Sequence, residues 1–122
     1  MLIISKMVKH MKLYYDLYLD DISKSKKEEI INKILKCSIQ FQVHLITLAK
    51  NEKNHLEIFD SNFLKQKRIN YEDLFVIGIA SSYHSALEIV EKLTQEVYDN
   101  TEDTNIRQYV LQKQEMFEKG NV

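Results

Sequence analysis

The chain has no proline, only two glycines (Gly78 and Gly120) and a single cysteine, Cys37. So little proline and glycine excludes long flexible linkers and any collagen-like or proline-rich region. One cysteine leaves no internal disulfide, so a reducing, cytoplasmic setting is the expectation. An excess of either charge is also missing. With a net charge of −1 there is no electrostatic case for nucleic acid or an anionic membrane, and neither is expected as a partner. No apolar run approaches the roughly 20 residues needed to cross a bilayer.

What remains is an ordinary globular composition, 122 residues with 44% hydrophobic and 29% charged. That length suits one domain burying roughly two-thirds of its unfolded surface. At the start, Met1-Leu2-Ile3-Ile4 precedes Lys6 and Lys9, the reverse of a secretory signal, whose charges come first. Three methionines in the first eleven residues, Met1, Met7 and Met11, make a start at Met7 or Met11 an expectation. Residues 1–10 are expected to form an extension outside the core, and 11–122 a single globular domain.

The most informative stretch is Leu74 to Tyr98. Leu74 to Ala80 is a continuous apolar run with Phe75, Val76 and Ile77, the pattern of a strand buried on both faces. Ser81 and Ser82 follow as natural N-caps. Tyr83, Ala86, Val90, Leu93 and Val97 then recur at helical spacing as one apolar stripe. Strand, tight turn and amphipathic helix are the reading.

Elsewhere the period is two. Leu13, Tyr15, Leu17 and Leu19 alternate with Tyr14, Asp16, Tyr18 and Asp20, which predicts a half-buried strand. Ser25-Lys26-Lys27-Glu28 has capping-box spacing before a helix carrying Ile30, Ile31, Ile34 and Leu35. A second strand is expected over 39–48, a hairpin loop at Asn51 to Asn54, and a short return strand from Leu56 to Phe59. Asp60-Ser61-Asn62 can cap a single turn, and 66–70 is a polar loop. A polar connection at 99–104 leads to a last helix capped by Thr104 or Asp103, fraying past Gln112.

The expected fold class is therefore α/β (α+β): one domain, a mixed sheet of about four strands in the order β-α-β-β-β-α-α, helices packed on it. A two-layer sandwich fits best, with the first two strands parallel across a right-handed crossover. The clean period-two stretches argue against an all-helical alternative.

Candidate chemistry is sparse. Gly78, Ser81, Ser82 and His84 stand where α/β proteins commonly bind anions, between a strand's carboxyl end and a helix N-terminus. The glycines of a dinucleotide site and the Gly-Lys-Ser/Thr of a P-loop are absent. Acids at strand ends (Asp20, Asp21, Asp60) do not make a receiver domain, which needs a helix where only Asn51 to Asn54 stand. Asp16 and Asp20 are about 13 Å apart along a strand, too far to share an ion. His10, His44, His55 and His84 lack zinc spacing. No metal, no cofactor and no catalytic residue is assigned. Tyr14 and Tyr18, with Tyr98 and Tyr109, offer large amphipathic surface, either covered by the helices with the hydroxyls reaching the surface or exposed as the kind of face that anchors interfaces. The leading expectation is a cytoplasmic protein-interaction or regulatory module without catalytic activity, with a homodimer expected through a sheet edge or the Tyr14/Tyr18 face. The alternative is an anion- or nucleotide-binding protein using Gly78 to Ser82 with His84.

Overall fold

A computed structural model describes residues 11–36, 42–49, 56–65 and 74–121. Its elements are β1 (Lys12–Leu19), α1 (Asp21–Ser25), α2 (Lys27–Leu35), β2 (His44–Leu48), β3 (Leu56–Asp60), a 3-10 turn (Ser61–Lys65), β4 (Phe75–Ala80), α3 (Tyr83–Thr101) and α4 (Ile106–Glu118). They form one α/β domain with a four-stranded mixed sheet and helices packed on it. The extension at 1–10, Cys37, the hairpin loop at 51–54 and the polar loop at 66–70 lie outside the described residues.

Local chemistry explains where element bounds differ from expectation. A separate short helix, α1, stands before the expected one, because the Asp20 side chain accepts from Ser23 N–H at 2.8 Å and caps it. Ser25 turns its hydroxyl to the Ile22 carbonyl instead of capping α2, whose N-cap, Lys26, makes no side-chain cap bond. Residues 99–101, expected in a polar connection, extend α3, which stops at Glu102 in the left-handed region with φ 59°. Asn105, rather than Thr104 or Asp103, caps α4 by accepting from Gln108 N–H at 3.0 Å. The end of α4 does not stop at Gln112, since Lys12–Glu118 and Lys119–Glu115 ion pairs extend along it.

The strand order is β1-β4-β2-β3. β1 runs parallel to β4, while β2 is antiparallel to both β4 and β3. β1 and β2 are therefore antiparallel and separated by β4, which corrects the expected parallel pair. β4 takes the centre because it is apolar on both faces, and a central strand has both faces and both edges covered.

Two apolar clusters fill the two sides of the sheet. Ile46, Leu48, Ile77 and Ala80 pack under Ala86, Leu93 and Val97 of α3 and Val110 of α4. Val43, Leu45, Val76 and Ile79 pack against Ile30 and Ile34 of α2 and Leu64. Helices thus cover both faces, three layers rather than the expected two. β2 alternates cleanly between the clusters; β4 does not. A bulge sets Ile77 and Gly78 against Ile46 alone and shifts the phase by one residue. A Cβ at Gly78 would meet both the Ile46 side chain and the Tyr18 carbonyl at 3.0 Å, so the position is kept bare for close packing. β1 bulges as well, between Leu13 and Tyr18. There the Tyr15 N–H donates to the buried Gln114 side chain of α4 at 2.8 Å, which plugs that edge of the sheet.

Candidate functional site

The strand-to-helix turn after β4 comes together from distant parts of the chain. Parallel pairing of β1 with β4 brings their carboxyl ends side by side, Leu19 opposite Ile79. Asp20 therefore meets Ser81, whose N–H and hydroxyl donate to Asp20 Oδ2 at 2.6 and 2.7 Å. Burial pushes the Asp20 carboxyl up, but hydrogen bonds from Ser81 and Ser23 outweigh that and hold it below the usual carboxylate range. Ser82 is the N-cap of α3, accepting from Ser85 N–H at 3.0 Å. Ser82→Ala should destabilise the fold by about 1 kcal/mol, read as a lower denaturant midpoint with unchanged m-value.

The four residues expected to hold an anion are thus only partly assembled. Ser81 and Ser82 stand together at the turn. Gly78 lies inside β4, and His84 is 84% exposed, paired with Glu88 at 3.1 Å. The Ser81 donors already serve a carboxylate of the chain itself.

Beside this turn lies a cleft of about 430 Å³ lined by Tyr18, Asp20, Asp21, Ser81, Glu88 and Lys92 among others. Three carboxylates against one ammonium repel a phosphate and favour a neutral or cationic guest. Among the described residues no group of three or more His, Cys, Asp or Glu side chains could hold a metal ion.

Tyr14 and Tyr18, expected at an interface, lie beneath α3 and α4. Tyr14 is 2% exposed, stacked on Tyr18 and edge-on to Tyr15 and Phe75. The Tyr18 and Tyr109 hydroxyls both donate to Glu96 Oε2, at 2.8 and 2.7 Å, and Lys113 donates to the Tyr109 hydroxyl at 3.2 Å. This network ties β1, α3 and α4 together. Burial, then the Glu96 hydrogen bond, raises the Tyr18 phenol far above its ordinary value. A phenol so raised stays neutral and is no base. In the unfolded chain tyrosine ionises near pH 10; the folded chain retains its proton, so this contribution is complete below about pH 10 and falls away as pH rises beyond it. Alkaline unfolding followed by circular dichroism should be shallower for Tyr18→Phe, which at neutral pH loses about 1 kcal/mol.

A different face stays open. Tyr83 is 56%, Leu87 42% and Tyr98 52% exposed. With half-buried Val90 and Thr94 they form a strip along α3, on the flank opposite Glu96 and beside its core residues Ala86, Leu93 and Val97. The Tyr83 ring lies 6.4 Å from that of His44 in β2, so the strip is on the β2–β3 side. An open depression of about 560 Å³ follows Val90, Thr94 and Tyr98 to Thr104. Below it, Leu56 and Ile58 of edge strand β3 are only half-buried.

Sequence reasoning had no means of finding Glu96 and Gln114, polar residues on otherwise amphipathic helices whose partners lie 78 and 99 positions away. It did place Ser81 and Asp20 at strand ends, separately; only the β1–β4 pairing unites them. Compared with known proteins, the chain matches no family model, no curated protein and no solved structure, so its function has to follow from its own residues.

Proposed function

We propose that the chain is a small cytoplasmic protein-interaction module without catalytic activity, binding through the α3 flank of Tyr83, Leu87, Val90, Thr94 and Tyr98. The supporting observation is that the apolar arc of α3 is wider than the sheet beneath it uses. Single exposed apolar side chains are normal on any protein; a contiguous row with two tyrosines is the composition of an interface centre. Tyrosines supply large contact area with few rotatable bonds, and their hydroxyls tolerate water while unbound.

A photoreactive phenylalanine analogue placed at Leu87 or at Tyr98, in the cells that make the protein, should give one discrete adduct on illumination. The same group at the exposed Lys27 of α2 should give none. Equal labelling at all three positions, or none at any, removes the reading.

The alternative is an anion or nucleotide bound at Gly78–Ser82 with His84. It has less support, because Asp20 occupies the Ser81 donors and carboxylates line the adjoining cleft. Inorganic phosphate and ATP should leave the melting temperature unchanged. A saturable rise with either would move the function to that turn, since a ligand of the native state stabilises by mass action.

A further inference from the structure

The open edge of the sheet carries information about what binds there. β3 is the terminal strand, and no described strand pairs with its outer side. The Ser61 N–H donates to the Val43 carbonyl of the neighbouring chain segment at 2.9 Å, which sets the hydrogen-bond phase. In an antiparallel ladder the bonding residues alternate, so Glu57 and Phe59 bond inward to Thr47 and Leu45. The amides and carbonyls of Leu56 and Ile58, with the Asp60 amide, then point outward and have no partner among the described residues, a row of the kind proteins normally hide.

We infer that this row pairs with the same row of a second copy, β3 against β3 in antiparallel register with the two Ile58 residues opposite each other. The inference rests on the interaction reading above and names its partner. Three features favour a second copy. The outward set is symmetric about Ile58, so one twofold axis satisfies Leu56, Ile58 and Asp60 on both strands at once. In that register Asp60 faces the partner's Leu56 and Glu57 faces the partner's Phe59, so no like charges are opposed. A register centred one residue earlier would oppose Glu57 to itself. Third, the other sheet edge is blocked: the β1 bulge and Gln114 occupy it. Pairing therefore closes at two copies instead of running on into a fibre. The joined sheet sets the two α3 flanks on either side of the axis, over Leu56 and Ile58 of both copies, and a net charge of −1 adds little repulsion.

Sedimentation velocity of the full chain from about 1 μM to about 1 mM should show the mass rising to twice the monomer. In a Cys37→Ser background, Ile58→Cys should oxidise to a covalent dimer, since directly opposed residues of a hydrogen-bonded pair lie about 5.5 Å apart at Cα, within disulfide reach. Leu56→Cys, offset along the strand, should not. Melting curves establish that both variants fold. A monomer across the whole range overturns the inference, and so does a dimer that crosslinks equally at 56 and 58 or not at 58. In-cell adducts from Leu87 with a mass other than twice the chain's would keep the interaction reading while removing the second copy; a monomer that also gives no in-cell adduct removes both.

Discussion

Val76→Asp is expected to yield protein that is largely insoluble or unfolded, losing more than about 4 kcal/mol, with Val76→Ala losing about 2 kcal/mol in the same assay. Val76 has no exposure, lies opposite Leu13 of β1 and Thr47 of β2, and faces Ile30, Ile34 and Leu45. Among the described residues, the side chains of this cluster are apolar and offer an aspartate no cation, and the Thr47 hydroxyl beside it is a neutral group that cannot balance a charge. An aspartate there would remain protonated or drag in water, and either breaks the central strand on which both layers pack. Soluble expression followed by urea unfolding checks it. A Val76→Asp protein that melts like the parent would mean that β4 is not the interior strand.

Removing Asp20 should have the next largest effect. Its carboxylate caps α1 through Ser23 and takes both Ser81 donors, so one side chain fastens the ends of β1, β4 and α1. Asp20→Ala should destabilise by about 3 kcal/mol near neutral pH, whereas Ser81→Ala, which removes only the hydroxyl bond, should cost about 1 kcal/mol. The pH dependence separates the two. Because the folded carboxyl lies below its unfolded value of about 4, the Asp20 contribution is complete above that pH. It is lost as pH falls through the folded value. The gap between the parent and Asp20→Ala should thus narrow steadily in acid below about pH 4, as followed by denaturant midpoints. A gap that stays constant into strong acid would contradict the charge-assisted bonding of Asp20.

Legibility in the sequence followed the range of the interactions involved. Leu74 to Ala80 was readable as a buried strand because a continuous apolar run has no other stable place in a domain of this size, and it stands at the centre. Ser82 was readable as a cap because it acts on an amide three residues away. Tyr14 and Tyr18 were legible as large aromatic surface, with coverage by helices and exposure at an interface both open. Whether a helix lies over a strand depends on the path of α4, and nothing near Tyr14 encodes that.

By itself, then, the sequence determined most of the elements and their periodicities, the α/β class and, among the described residues, the absence of a helix long and apolar enough to span a membrane. These are properties of spacing within roughly a dozen residues. The tertiary structure alone decided that β4 separates β1 from β2, that helices cover both faces, that Asp20 takes the Ser81 donors, and that the α3 flank beside β3 is exposed while Tyr14 is covered. Each depends on which strand edges pair. Pairing is settled by the summed burial of the whole sheet, and no local window of the chain contains that sum.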